Sequence, residues 1–130
     1  MSEPRQLQIQ VEGLQNLKET LEEHKGKQIV VMFIGSMLEE GDHIGESWCP
    51  DCRDAEPVVE AALQQASTDM VFILVVVGDK PTWKDSNNEF RTSPDFQLKE
   101  IPTIVEYGTA KRLGCDDCKK QDLVNNFFPK

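Results

Sequence analysis

Hydrophobic and polar positions along the chain follow two periods. Leu7, Ile9 and Val11 alternate with polar neighbours, so residues 6–11 predict a half-buried strand that Gly13 ends. Leu14, Leu17 and Leu21 recur at helical spacing, so about 14–24 predicts an amphipathic helix with Glu19, Glu22 and Glu23 outside. Residues 28–34 (QIVVMFI) and 70–77 (MVFILVVV) are continuous apolar runs, the pattern of strands covered on both faces. Between them, 50–66 predicts a helix with Ala55, Val58, Val59, Ala62, Leu63 and Ala66 inward. Pro57 lies inside that helix and should kink it, because proline lacks the backbone donor. Residues 79–94, rich in Pro, Asn, Asp and Ser, predict an ordered loop, and a short helix is expected at about 95–99. Residues 103–107 predict a strand, Gly108-Thr109 a turn, and 110–114 an edge strand. Residues 117–128 predict a final helix with Leu123, Val124 and Phe127 inward.

The order β-α-β-α-β-α-β-β-α predicts one α/β domain over residues 1–130. Its sheet is five-stranded and mixed, with helices on both faces: the first strands are joined by helices, and the last two form a hairpin. A chain of 130 residues can bury roughly two thirds of its unfolded surface without staples. The chain carries 14 Lys+Arg against 23 Asp+Glu, a formal charge of −9. Such acidity argues against nucleic acid and against an anionic membrane surface. The N-terminal stretch resembles no signal peptide, and the longest apolar run, Met70–Val77, is too short to span a bilayer. A cytoplasmic location is therefore expected. There, a Cys pair is more often catalytic or metal-binding than structural.

The chemistry concentrates in Trp48-Cys49-Pro50-Asp51-Cys52, between a buried strand with its loop and a helix. A C-x-x-C beside a βαβ pattern is a thioredoxin-like signature. At a helix start, unpaired backbone N–H groups and the helix dipole stabilise a Cys49 thiolate. Pro50 suits the first helical position. Cys52, almost one turn on, brings its sulfur within reach of Cys49. This gives an exposed attacking thiol, Cys49, and a shielded resolving thiol, Cys52, which breaks the mixed disulfide. A four-Cys zinc site with Cys115 and Cys118 is the competing reading. However, 62 residues separate Cys52 from Cys115, against about 15–20 between the pairs of most such sites.

The sequence resembles the thioredoxin superfamily, and within it a branch of small cytosolic thioredoxin-related proteins. The marks are WCPDC followed by Ala55-Glu56-Pro57-Val58-Val59, the stretch VFILVVVGDKPTWKDSNNEFR at 71–91, and Ile101-Pro102-Thr103. The resemblance implies the thioredoxin fold, Cys49 as nucleophile, Cys52 as resolving thiol, and Pro50 and Asp51 as the pair that tunes redox behaviour. It implies a cis Pro102 facing the site, with Trp48 and Ile101 as further substrate contacts. It implies disulfide reduction with electrons from NADPH through thioredoxin reductase, no bound cofactor or metal, and a monomer. Small disulfides such as cystine, and selected protein thiols, would be the substrates. A dynein light chain as partner and a role in cytokine signalling come from resemblance alone.

Three positions depart from the superfamily pattern. Met32 stands where thioredoxins place a buried Asp, so Asp51 or solvent is left to take the Cys52 proton. The loop 36–47 is long and acidic. Cys115 and Cys118 are extra, and read either as a secondary redox pair or as part of a helix start capped by an Asp. His43 lies near Cys49 in sequence, but no orienting partner is evident for a Cys–His hydrolase. A glutaredoxin-like enzyme would want a Gly-Gly after Pro102, which is missing. A binding module without chemistry would not need both cysteines. Trp83 and Phe90 are expected to pin the 79–94 loop, which could also wall the site. Between Glu39 and Glu56 lie seven acids and one base, Arg53, so the negative charge gathers around the thiols. That field should oppose a Cys49 thiolate and repel anionic substrates.

Overall fold

The computed structural model describes residues 5–130; residues 1–4, where the reading of a missing signal peptide begins, lie outside it. Five strands form one sheet in the order β1-β3-β2-β4-β5. They are β1 (Leu7–Glu12), β2 (Ile29–Ile34), β3 (Val71–Val76), β4 (Thr103–Glu106) and β5 (Arg112–Leu113). β3 pairs in parallel with both β1 and β2, in register Leu7 to Val71 and Ile29 to Val71. β4 runs antiparallel to β2, and β5 antiparallel to β4, so the expected mixed five-stranded sheet is present. No helix among the described residues is long and apolar enough to cross a membrane.

All six residues of β2 are buried, as its unbroken apolar run requires. Strand period two sends Met32 to one face and Phe33 to the other. On the Met32 side, α2 (Pro50–Leu63) packs with α5 (Gln121–Phe127) and the 3-10 turn Asp117–Lys119. On the other side Phe33 meets Phe90 and Phe96 edge-on, with ring centroids 5.7 and 5.2 Å away. The helix α1 (Leu14–Glu23) buries Leu17 and Leu21. Inside α2, Ala55, Val59, Ala62 and Leu63 are buried, and the helix continues through Pro57 before ending at Leu63, short of 66.

Four expectations change. The 79–94 stretch holds two short helices, α3 (Lys80–Lys84) and α4 (Glu89–Thr92), rather than only loop. Their caps explain them: the Asp79 carboxylate accepts from Thr82 N–H at 3.0 Å, and the Asn88 side chain from Phe90 N–H at 2.9 Å. No helix forms at 95–99. Gln97 takes a positive φ of 46°, and Leu98 N–H bonds back to the Phe90 carbonyl, which turns the chain and buries Phe96 and Leu98. β5 is two residues, because a turn occupies 107–110. The predicted helix 117–128 splits into the 3-10 turn and α5, and the Asp116 side chain caps nothing. The break re-aims the face, so Val124 and Phe127 are buried while Leu123 is 41% exposed. Leu7, on the edge strand, is also exposed.

Candidate active site

β2 delivers the chain to Gly35, and the loop 36–47 brings it to the start of α2. The loop is held by backbone bonds from Leu38 N–H to Glu46 and from Trp48 N–H to Ser36. Ser47 is fully buried. Its hydroxyl donates to the Gly35 carbonyl at 2.8 Å and accepts from Cys49 N–H at 3.2 Å, which fixes the approach to the motif. Arg53 closes the same turn by donating to the Ser47 carbonyl at 2.8 Å.

Cys49 is the N-cap of α2, Pro50 its first residue, and the Cys49 sulfur accepts from Cys52 N–H at 3.2 Å. The Cys52 side chain also bonds to the Cys49 sulfur, and this lowers the Cys49 pKa below the ordinary thiol value. Burial and the negative charge of Asp51 act against that lowering, and the backbone amides of Cys52 and Asp51 support it. The same hydrogen bond, together with burial, pushes Cys52 far up. The two sulfurs are therefore poised in opposite states, one toward thiolate and one held as thiol. Cys49 is less open than the motif alone suggests, at 5% exposure against 0% for Cys52. Part of its cover comes from the stretch just before β4. The Ile101–Pro102 bond is cis, and the Ile101 carbonyl lies 3.8 Å from the Cys49 sulfur.

Trp48 is half-buried beside the nucleophile, and its indole N–H donates to the Gly78 carbonyl at 2.9 Å. The ring packs against Gly35. A Cβ at Gly35 would sit 2.5 Å from the indole Cε2 and Nε1 atoms. Gly35→Ala is expected to cost about 1–3 kcal/mol in urea unfolding and to shift Trp emission, because a rigid ring cannot yield without losing its bond to Gly78. Gly78 opens the α3–α4 segment, so that segment does border the site. It is also pinned: Trp83 is buried, Arg91 stacks 3.8 Å over its ring, and the Arg91 Nε–H donates to the Trp83 carbonyl at 2.7 Å.

The structure brings Cys115 and Cys118 to the site as well, from the opposite end of the chain. The buried Cys118 sulfur lies 3.8 Å from the Pro102 carbonyl and 3.5 Å from the Leu113 carbonyl. Burial first, then the neighbouring Cys115, push its pKa up to about 12. Cys115 bonds through its N–H to the Glu100 carboxylate, and its thiol faces Asp51. Burial and the Asp51 contact raise it to about 12 too. Asp51 is engaged by Lys119 at 3.0 Å and by Cys115, which hold it below the usual carboxylate range. A carboxylate so stabilised is a weak base. The groups acting on the Cys52 thiol are Cys49, the Gly35 backbone and Ser47. Met32 is covered and offers no proton acceptor.

Lys119 and Ser47 escaped the sequence reading. Ser47 could have been found as a small polar residue beside WCPDC, whereas nothing local marks Lys119. His43 does have a partner, Glu46, 2.8 Å from its Nδ1, but both side chains are more than half exposed. Among the described residues no group of three or more His, Cys, Asp or Glu side chains is placed to hold a metal.

The family model for the thioredoxin domain of thioredoxin domain-containing protein 17-like proteins matches residues 10–130. The chain belongs to this family. It is 40% identical to thioredoxin domain-containing protein 17 of Mus musculus and 41% identical to that of Danio rerio. Both comparisons cover 93% of this chain and 94% of the relative. The fold also matches the crystal structure of reduced Schistosoma mansoni thioredoxin pre-protein, with a TM-score of 0.57 over 94% of this chain and 99% of that one. The identity there is 19%, so that match speaks to the fold. The thioredoxin domain-containing protein 17-like family thus supplies a thioredoxin-fold frame of redox type, and Cys49 and Cys52 sit where its helix begins.

Proposed function

We propose that the protein is a thiol–disulfide oxidoreductase acting through Cys49 and Cys52. The observation that carries this is the geometry at the start of α2: Cys49 caps the helix, its sulfur accepts from Cys52 N–H at 3.2 Å, and the Ile101 carbonyl before the cis Pro102 lies 3.8 Å from it. The Cys49 thiolate attacks a substrate disulfide, forms a mixed disulfide and releases one thiolate. Cys52 then gives up its proton and attacks the Cys49 sulfur. The second thiol leaves, and Cys49–Cys52 is oxidised by two electrons. Thioredoxin reductase would return those electrons from NADPH; the chain itself needs no bound cofactor for the exchange. The Ile101 carbonyl, Pro102 and Trp48 border the sulfur and would orient the incoming disulfide.

Charge supports small uncharged or cationic disulfides and selected protein thiols over anionic ones. A cleft of about 890 Å³ beside Trp48 is lined by Glu12, Glu39, Glu40, Asp79 and Glu89, with Lys80 opposing them. A cytoplasmic monomer fits this role, and a dynein light chain as partner rests on resemblance alone. The deciding assay compares NADPH consumption on cystine with thioredoxin reductase against glutathione plus glutathione reductase. Turnover is expected with thioredoxin reductase. Turnover only with glutathione would make the protein glutaredoxin-like, and turnover with neither would make it a binding module.

A further inference from the structure

Asp51 is the only charged side chain inside the WCPDC motif, and its negative charge works against a thiolate two residues earlier. The structure answers that charge from outside the motif. Lys119, in the 3-10 turn 68 residues away, places its Nζ 3.0 Å from the Asp51 Oδ1. The Cys115 thiol faces the same carboxylate, and Glu100 in turn holds Cys115 through its backbone N–H. The other partner of Lys119 is Asp116, at 4.0 Å and almost fully exposed, so Asp51 is the closer and better-shielded one. The groups facing this cluster are thus Cys49 at the start of α2, Lys119, Cys115 and Asp116 from the turn segment, and Glu100 from the stretch before β4.

We propose that Lys119 is a positioning residue for the Cys49 thiolate: it pins the Asp51 carboxylate against the 3-10 turn and offsets its charge. The first-turn amides and Cys52 then act on the Cys49 sulfur against a weaker opposing charge. Loss of Lys119 releases Asp51 to solvent and to the Cys49 side of α2, and unlike-charge compensation at about 3–4 Å is replaced by like-charge repulsion. The pair is partly exposed, so it stabilises the fold little and its effect is on the thiolate.

The inference rests on Cys49 being the nucleophile, and its test reads the thiol rather than turnover. Alkylation of Cys49 by iodoacetamide is followed by peptide mass against pH in the full chain. Lys119→Gln is expected to move the half-maximal pH upward and slow Cys49 alkylation at pH 7 about 2–5-fold. Lys119→Arg should restore the wild-type profile, since charge and reach are kept. Asp51→Asn should speed alkylation, and in that background Lys119→Gln should change the rate far less than in wild type. An unchanged profile in Lys119→Gln overturns the proposal, as does an equal effect of Lys119→Gln with and without Asp51. A wild-type Cys49 with no thiolate below pH 9 would overturn the redox reading itself and this inference with it.

Discussion

Cys49→Ser is expected to abolish disulfide reduction, with a loss of at least about 10³-fold in kcat/KM, because a hydroxyl at that site cannot replace the thiolate as nucleophile. Cys52→Ser should behave differently. Its Cys49 can still attack, but no second thiol releases the product, so the variant should accumulate a mixed disulfide visible as added mass after a single turnover. The asymmetry follows from the poise of the sulfurs. Cys49 is the one with its pKa lowered and with a sliver of surface, and Cys52 is sealed. Cystine reduction by Cys49→Ser at the wild-type rate would remove Cys49 from the reaction. Trapping on Cys49→Ser rather than on Cys52→Ser would invert the two roles.

Phe33→Ala is expected to cost roughly 3–5 kcal/mol in equilibrium urea unfolding, the range for deleting a buried aromatic ring from a packed core. Phe33 is fully buried and is the common neighbour of Phe90 and Phe96, which are themselves covered. Removing it leaves a void between β2 and the α3–α4 segment, so limited proteolysis should cut within 79–99 before other sites. Phe33 lies two residues before Gly35, on which Trp48 rests, and the damage should therefore reach the site as well as the fold. A loss below about 1 kcal/mol would mean that the segment can close over the void, and that the pinning of Trp83 by Arg91 carries it instead.

Much of this architecture is legible in the chain because it is local. The unbroken apolar runs around Val31 and Ile73 leave a strand with no polar face, so they must lie inside the sheet. The spacing of Cys49, Pro50 and Cys52 fits the first turn of a helix, with Cys49 as its cap. The α3 and α4 helices are illegible in the sequence for an opposite reason. At four or five residues they have no periodicity to show, and their starts are set by the capping side chains of Asp79 and Asn88. A helix drawn straight from 117 puts Leu123 inward with Val124 and Phe127; the 3-10 turn breaks that helix, and of the three only Val124 and Phe127 are buried.

The acidity of the chain shows the same division. Composition and order determined that seven acids gather between Glu39 and Glu56. They also placed a thiol pair at a helix start, with the amides of that helix beside it. Only the tertiary structure decided what those charges do. It brings Lys119 across 68 residues to answer Asp51, and Ile101 across 52 to cover Cys49. Local spacing fixes what one turn of backbone can reach, while the electrostatic balance at a sulfur depends on every charge within a few ångströms, whatever its distance along the chain.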